Sequence, residues 1–499
     1  MASTAVKCVA GAAGLSLFAV VVAVLVSRQD GAPSASPSPS TSPTCLYRFP
    51  SFDPSFDLSP ETVDALPAGR KNPPRFELSQ CYPQRLDEEP LPWVVGGRAL
   101  DYRSPADARA YLEAILKYAY AGNLEADWVV QRNQPVRWFH APWLHFGGTG
   151  REPLHGLTYE LASAPGALAK TQQRFVQNWA VSVYNSRGGY VLGQVWKDVE
   201  HPNPKVLPHP EAAVFPNGTV AVKLLFTQAT EEEVPYLRGQ AGFEWEAYVY
   251  EKLPADPRRP NPKEKRSVQK LRLLQLDVAV RDDRSPTRWV FGTFVYNGHL
   301  AVSPYDWCEP EGSPWCKVVP VGLAWGSDPD LLAEEADPRR PPVQSIFTGA
   351  GMIPGEMLEA NGGREGLGRG GRLNGPVDDR RSSCLSCHAT ASWPQFDRVP
   401  PAGLSTEKQM NWFRNFSVGA AGSRKQSFWP GTEALDYSLQ LSSGIRNFHS
   451  CRGATPPIEE CRPAPAPDRS PTQGPGASRT PSPTGGHTFW PQVYRGPDN

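Results

Sequence analysis

The chain has 499 residues, enough for two or three domains or for one large domain with insertions. Its 51 Lys and Arg residues equal its 51 Asp and Glu residues, so no net charge attracts a polyanion, and no basic stripe interleaved with aromatic residues runs along it. A nucleic-acid partner is therefore not expected, whereas a sizeable buried core is.

An uncharged apolar stretch covers residues 9–26, between Lys7 and Arg28. It is just long enough to cross a bilayer as a helix, and it is longer than the apolar part of a usual signal peptide. Leu25 and Ser27 also make a poor cleavage site, which favours an uncleaved anchor over a removed signal peptide. We predict a signal anchor or transmembrane segment at residues 1–30. This segment would anchor the protein on the periplasmic or extracytoplasmic side of the cytoplasmic membrane. The membrane is therefore a predicted partner.

Two segments are too rich in proline, serine and glycine to bury apolar surface. Residues 31–44 read GAPSASPSPSTSPT and predict an extended linker. Residues 462–499 have the same character, apart from a few aromatic residues near the end, and predict a disordered tail. The folded part is therefore expected between residues 45 and 461.

The nine cysteines fall into three groups. Cys8 precedes the apolar stretch, and two others belong to the motif described below. The remaining six form an even set, which on an exported chain indicates disulfide bonds. Several connectivities are open, of which nearest-neighbour pairing is the simplest. It joins Cys45 to Cys81, Cys308 to Cys316, and Cys451 to Cys461.

Residues 45–170 are interpreted as an N-terminal extension that contains one clear helix. Ser104 is a typical N-cap, Pro105 suits the first helical position, and Gly122 is a typical terminator. Apolar residues recur at helical spacing between these limits.

Residues 171–310 change to short runs rich in Val, Tyr, Trp and Phe, separated by turn signals such as the one at 186–189. The predicted strands cover residues 179–184, 190–196, 220–226, 245–250, 274–280 and 289–296. Apolar and polar residues alternate in the fifth run, as is typical of a half-buried strand. We predict an antiparallel β domain here.

The most specific motif is Cys384-Leu385-Ser386-Cys387-His388, the CxxCH pattern of covalent haem c attachment. Two thiols at this spacing reach the two vinyl groups of one haem, and the histidine after them binds the iron. A CxxC pair also occurs in zinc sites and redox dithiols. However, the chain has no second CxxC or HxxxH for zinc and no βαβ context for a thioredoxin-like site. We predict one covalent haem c held by Cys384, Cys387 and His388.

The sixth ligand of the iron decides between electron transfer and ligand chemistry, and the sequence leaves it open. Met410 lies on a predicted helix after the motif, where it either binds the iron, as in a Met/His electron carrier, or packs a helix face. Met352, Met357 and His449 have no diagnostic spacing. Met410 is therefore the candidate second metal ligand beside His388.

Glycine-rich residues 349–375 fit neither the dinucleotide fingerprint nor the phosphate loop, and they predict a loop that wraps a ligand or another segment. Two further groups of residues have alternative interpretations. Arginines in this loop either pair with haem propionates or are solvated; they are Arg364, Arg369 and Arg372. Histidines in an aromatic-rich segment either line a haem edge or belong to the core; they are His140, His145 and His155.

Over residues 170–395 the chain resembles cytochrome P-460 and the β-type cytochromes c′. The phrase FPNGTVAVK at 215–223 and the strand WVFGTFVY at 289–296 have counterparts there, and the single CxxCH follows near the C-terminus. The resemblance implies a five-coordinate haem whose open face binds nitric oxide or oxidises hydroxylamine. It also implies a covalent link between Lys223 and the porphyrin, because Lys223 matches the family's cross-linked lysine. Otherwise Lys223 is an exposed lysine on an alternating strand.

The chain is much longer than members of that family. It has additional residues before the strands, an insert between Val295 and Cys384, and an extension after the motif. These additions can cover the open face, and a sixth iron ligand supplied by them would exclude catalysis.

The predicted fold class is α+β, with an antiparallel β core at residues 171–310 and a mostly helical, loop-rich haem-binding portion at 311–461. Short helices are expected at 405–416 and 434–448. Three functions follow. The first is electron transfer with a redox partner protein. The second is a P-460-like oxidoreductase that acts on a small nitrogen-oxide ligand. The third is a structural or sensory haem module.

Overall fold

A computed structural model describes most of the chain from Cys45 onward, and this part belongs to one compact unit. The described residues are 45–53, 76–146, 150–204, 215–253, 265–309, 312–334, 343–396, 403–416, 427–453 and 464–465, with the exception of residues 46 and 87. The predicted signal anchor, linker and nearly all of the predicted tail lie outside them. No helix among the described residues is long and apolar enough to cross a membrane.

The strands of the described residues form one large antiparallel sheet and three small two-stranded sheets. Their bounds are β1 Tyr47–Arg48, β2 Val94–Val95, β3 Arg98–Ala99, β4 Trp138–Phe139, β5 Thr158–Tyr159, β6 Asn178–Asn185, β7 Val220–Thr227, β8 Trp245–Tyr250, β9 Arg266–Arg281, β10 Trp289–Tyr296, β11 Val318–Ala324, β12 Ser345–Phe347, β13 Ser392–Trp393, β14 Glu433–Ala434 and β15 Ala464–Pro465. The large sheet has the order β12-β11-β10-β9-β7-β6-β4, with β5 also paired to β6 and β8 to β9. The pairs β1–β15, β2–β3 and β13–β14 form the small sheets.

Helices are fewer and mostly short. The α-helices of the described residues are α1 Pro105–Tyr120, α2 Ser186–Val195, α3 Gly355–Asn361, α4 Cys384–His388, α5 Thr406–Met410 and α6 Leu439–Arg452. Short 3-10 turns cover Val130–Arg132, Pro235–Leu237, Pro314–Lys317, Pro329–Glu334, Arg364–Gly366, Arg369–Gly371 and Asn411–Phe413. An antiparallel β core combined with separate helices confirms the predicted α+β class.

Helix α1 confirms the prediction made from its capping residues and periodicity. Ser104 is its N-cap, and Gly122 follows its end with a φ of +73°. Its buried face packs against the sheet. There Gly292 of β10 lies under Leu112, since a Cβ atom at Gly292 would approach Leu112 Cδ2 to 2.4 Å. Each large aliphatic side chain buried on this face stabilises the fold by about 1.5–3 kcal/mol.

The strand predicted at residues 190–196 is wrong, because this segment lies in helix α2. Asn185 ends β6 and caps the helix, with its side chain accepting a hydrogen bond from Gly188 N at 3.3 Å. The glycines that suggested a turn instead allow the helix to pack closely: a Cβ atom at Gly188 would lie 2.7 Å from Tyr184, and one at Gly189 would lie 2.4 Å from Phe139. The other five predicted strands are present: β8 and β10 have the predicted bounds, and β6, β7 and β9 are longer than predicted.

The large sheet extends on both sides of the predicted β domain at residues 171–310. β4 and β5 come from the predicted N-terminal extension, and β11 and β12 come from residues after 310. The predicted helix at 405–416 is shorter, and the one at 434–448 begins only at Leu439, after β14 and a turn.

Two of the three expected disulfides are present. Cys45 is bonded to Cys81 and Cys308 to Cys316, with Cα–Cα distances of 5.0 and 5.5 Å. Cys451 is also disulfide-bonded. Its expected partner, Cys461, lies outside the described residues.

Candidate functional site

A cleft of about 270 Å³ opens over one face of the large sheet, between the sheet and α4, and we call it the sheet–α4 cleft. Its walls come from the sheet strands, from loop residues 374–382, from α4 and from the start of α6. The lining includes Glu160, Ser182, Tyr184, Ala221, Lys223, Asp277, Ala279, Phe291, Asn374, Asp378, Cys384, Cys387, His388 and Gln440. Both cysteines and the histidine of the CxxCH motif, as well as Lys223, therefore line one cleft.

The register of four neighbouring strands arranges the floor of this cleft in rows. One row is polar and runs across β6, β7, β9 and β10 as Ser182, Lys223, Asp277 and Thr293. The next row is Tyr184, Ala221, Ala279 and Phe291. Since the two alanines lie between two aromatic rings, the second row leaves an open floor that larger side chains would fill.

Helix α4 presents the motif to the cleft on a single capped turn. Ser383 Oγ accepts a hydrogen bond from Ser386 N at 3.1 Å, and Ser386 Oγ accepts one from Ser383 N at 2.8 Å, which is a capping box. The Cys384 N–H also donates to the Leu373 carbonyl at 3.0 Å. A helix of five residues is thus fixed at its N-terminus, and neither Cys384 nor Cys387 is disulfide-bonded.

The imidazole of His388 is oriented by the backbone. Its Nδ1 lies 2.8 Å from the carbonyl oxygen of Tyr437, and its ring packs against Phe291 with a centroid distance of 4.7 Å. Because a carbonyl oxygen can only accept, Nδ1 carries the hydrogen and Nε2 is the basic nitrogen of the neutral ring. This is the usual arrangement of a metal-binding histidine.

Lys223 projects from β7 into the same cleft, where it is half-buried and forms an ion pair with Glu160 at 3.1 Å. Burial acts to lower the pKa of Lys223, but Glu160, Asp378 and Asp277 together raise that pKa above its usual value. The amine is therefore an ammonium group at neutral pH.

Asp277 and Asp378 form an acidic pair beside Lys223. Gln275 Nε2 donates to Asp277 Oδ2 at 2.8 Å and to Asp378 Oδ2 at 3.2 Å, and Thr293 Oγ1 donates to Asp277 Oδ1 at 2.9 Å. Burial and the charge of Asp378 raise the pKa of Asp277 to about 7, against the opposing effects of Lys223, Gln275 and Thr293. The pair can therefore hold one proton near neutral pH.

The thiol of Cys384 lies next to this acidic pair. Its Sγ is 3.6 Å from Asn374 Oδ1 and 4.0 Å from Thr293 Oγ1. Burial, followed by the charges of Asp277 and Asp378, raises the pKa of Cys384 well above its usual value. A reactive redox cysteine needs a lowered pKa, so this environment argues against a dithiol site and favours a protonated thiol.

Several other residues singled out in the sequence lie elsewhere. Among the described residues that line the cleft, His388 is the one histidine and no methionine is present. Met410 ends α5, half-buried against the apolar core, and His449 stacks on Trp393 with a centroid distance of 4.7 Å. His140 is buried and accepts a hydrogen bond from Ser79 N at 3.0 Å. Two more histidines pack against tryptophans: His145 on Trp143 and His155 on Trp245.

The three arginines of the glycine-rich loop do not line the cleft. Arg372 is buried, and its guanidinium donates to the carbonyls of Ser327 at 2.9 Å and Asp328 at 3.1 Å. Arg369 donates to Gln409, and Arg364 is exposed. In this structure Arg372 therefore stabilises the glycine-rich loop by bonding it to Ser327 and Asp328.

The carboxylates of the cleft were missed from the sequence. Asp277 alternates with Leu276 and Val278, so it suggested the solvent side of a half-buried strand. A signal was present in β10, the neighbouring strand: its run WVFGTFVY is apolar almost throughout, which indicates burial on both faces. Asp277 pairs with Thr293 of β10, so its side chain is not expected on a solvated face.

The donor set of the cleft fits a covalently attached haem: two thiols outside disulfides, a histidine with its tautomer fixed, and an open floor between aromatic rings. No group of three His, Cys, Asp or Glu side chains in the described part of the chain is placed to hold a metal ion. Comparison of the chain with protein-family models, curated proteins and solved structures finds no match. The resemblance to cytochrome P-460 therefore rests on the sequence phrases alone.

Proposed function

We propose that the chain is an exported monohaem c-type cytochrome that carries haem c in the sheet–α4 cleft. Cys384 and Cys387 would hold the haem by adding their S–H bonds across its two vinyl groups, which gives two thioethers with no net transfer of electrons, and Nε2 of His388 would bind the iron. The observation that carries the proposal is the meeting of these residues with Lys223 in one cleft, although Lys223 is far from the motif in sequence.

The lining of the cleft favours an iron with one open position for a small ligand, as in cytochrome P-460. In the described residues no second histidine and no methionine lines the cleft, whereas Lys223 and the acidic pair do. When bound, the iron supplies one-electron redox chemistry. Lys223 contributes a positive charge, and Asp277 with Asp378 hold or release a proton beside a ligand such as nitric oxide or hydroxylamine.

Electron transfer to a redox partner protein is the second candidate, and the position of Met410 favours it. The 3-10 turn Asn411–Phe413 follows Met410 directly and packs against α4. A thioether ligand from Met410 would make the protein a low-spin Met/His carrier.

The compartment and the finer architecture are part of the same proposal. Disulfides such as Cys45–Cys81 and Cys308–Cys316 form in oxidising compartments outside the cytoplasm, where haem c is attached. The haem-binding portion then consists of α3 to α6 with their loops, and the protein is held at the cytoplasmic membrane by residues 1–30.

The test is the absorption spectrum of the full chain matured with an intact haem-attachment system. We expect a pyridine haemochrome of covalent haem c that is lost in the Cys384→Ala, Cys387→Ala double variant. The matched control, Cys308→Ala with Cys316→Ala, also loses two cysteines but retains the haem. Protein without covalent haem would overturn the proposal.

The same samples separate the two candidates. An open iron face predicts spectral shifts on addition of nitric oxide or carbon monoxide, and a red-shifted Soret band that is lost in Lys223→Ala. Sharp low-spin bands that do not respond to these ligands, and that change in Met410→Ala, would instead establish electron transfer.

A further inference from the structure

The turn that precedes α6 has an unusual backbone. Asp436 and Tyr437 have φ angles of 47° and 65°, and Ser438 N donates to the Leu435 carbonyl at 2.9 Å. Two successive left-handed residues are typical of a type I′ turn, which favours Gly, Asn and Asp. A left-handed tyrosine is strained, because its Cβ atom crowds the following carbonyl oxygen. Such an outlier persists only where the surrounding contacts hold it.

The contacts that hold this turn converge on the carboxylate of Asp436. Its Oδ1 accepts from Arg281 Nη1 at 3.0 Å and Trp289 Nε1 at 3.1 Å, and its Oδ2 accepts from Arg281 Nη1 at 2.9 Å and Phe215 N at 2.7 Å. The side chains of Arg281 and Asp436 are each 1% exposed. Removing one partner of such a buried pair leaves an uncompensated charge and is strongly destabilising, so the pair holds the turn against the end of β9.

The residue after Asp436 in this turn is Tyr437, and its carbonyl contacts His388. The carbonyl of Tyr437 accepts the Nδ1–H of His388 at 2.8 Å. The turn also leads into α6, whose N-cap Ser438 accepts from Leu441 N at 3.2 Å. Two roles are therefore possible for the Arg281–Asp436 pair: support of α6 alone, or placement of the carbonyl that orients the histidine.

We propose that Asp436 and Arg281 are positioning residues for His388. The buried pair fixes the Tyr437 carbonyl, and that carbonyl sets both the orientation of the imidazole and the nitrogen that carries its proton. The tautomer is a property of the chain alone. The effect at the iron rests on the proposed haem c function: a histidine that donates Nδ1–H to a fixed carbonyl is a stronger electron donor, which lowers the reduction potential of the iron.

The first measurement uses the full chain expressed without haem attachment and labelled with 15N-histidine, the His388 signal being assigned by its loss in His388→Ala. Long-range 1H–15N spectra should show the Nδ1–H tautomer for His388. In Asp436→Asn we expect this signal to move toward a mixture of tautomers. The matched control is Asp282→Asn, which removes another buried carboxylate paired with an arginine, Arg284, at 2.6 Å. Asp282 follows Arg281 in sequence, but its carboxylate accepts from Arg284 and Tyr111 instead of contacting the turn. This control variant should leave the tautomer unchanged.

The second measurement uses the haem-loaded protein. In Asp436→Asn we expect the iron–histidine stretching band in resonance Raman spectra to fall in frequency and the reduction potential to rise, with neither change in Asp282→Asn. A purely structural role would lower the stability of Asp436→Asn while leaving both readouts as in the parent protein, and that result would overturn the proposal.

Asp436→Asn removes the buried charge that faces Arg281 Nη1 and leaves Arg281 paired with Asp283 alone, through Nε at 3.1 Å. The double variant Arg281→Gln with Asp436→Asn therefore provides a second route. It removes both buried charges and retains hydrogen-bonding side chains, which avoids the penalty of an unpaired charge. We expect the same direction of change in the tautomer. If the parent chain takes up no haem, the haem proposal fails, but the tautomer measurement still decides the role of the pair.

Discussion

The two faces of the central sheet use the same strands but bury opposite kinds of side chain. On the face away from the cleft, Leu224, Leu276 and Phe294 form one fully buried cross-strand row. On the cleft face the neighbouring row contains Lys223 and Asp277. Apolar burial stabilises the fold, whereas burial of charged groups costs free energy. One face of the sheet therefore maintains the fold, and the other has side chains suited to chemistry.

The largest expected effect is on the apolar face. Leu276→Ala should lower the free energy of unfolding by about 2–5 kcal/mol, because it removes buried methyl groups and leaves a cavity. Denaturant unfolding monitored by circular dichroism measures this loss. Thr293→Val on the opposite face is the comparison, and it should cost less, about 1–3 kcal/mol, because it removes one hydrogen bond to Asp277 and creates no cavity. Equal losses from both variants would remove the proposed distinction between the faces.

The next effect concerns the open floor of the cleft. Ala279→Leu should abolish most of the haem content, since the larger side chain fills the space between Tyr184 and Phe291. The free energy of unfolding of the haem-free chain should change by only about 1–3 kcal/mol. Haem per chain from the pyridine haemochrome, together with denaturant unfolding, measures both quantities. Normal haem content in Ala279→Leu would mean that haem does not lie over this row.

The smallest effect is a pH dependence that only the cleft face should show. The pKa of Asp277 is raised to about 7, mainly by burial and then by the charge of Asp378. Its folded form therefore binds a proton more tightly than the unfolded chain does. This contribution to stability is complete below the unfolded pKa of about 4 and is lost as the pH rises through about 7.

The free energy of unfolding should fall with rising pH by at most about 1.4 kcal/mol per pH unit for one proton. Denaturant unfolding of the haem-free chain between pH 4 and pH 8 measures it. In Asp277→Asn the slope over this range should be smaller, while Leu276→Ala should lower the whole curve and leave the slope unchanged. A slope in Asp277→Asn equal to that of the parent chain would show that the acidic pair does not titrate as proposed.

The apolar face was predictable from the sequence, and the cleft was only partly so. Periodicity and capping located α1 and five of the six predicted strands, because these signals are local. The strand prediction at 190–196 failed because the glycines just before it, Gly188 and Gly189, allow a helix to pack against Tyr184 and Phe139, which is a tertiary effect. The CxxCH motif and Lys223 were found by pattern and by resemblance. Asp277, Asp378 and Asp436 escaped because their partners are distant in sequence.

The environment of Cys384 has a consequence for how such a protein matures. Thiol–disulfide exchange proceeds through the thiolate, and the raised pKa of Cys384 keeps that form scarce. In an oxidising compartment, the folded chain would therefore form a Cys384–Cys387 disulfide slowly. If the chain carries haem c as proposed, burial of Cys384 together with its acidic neighbours would extend the time in which the thiols are available to a porphyrin.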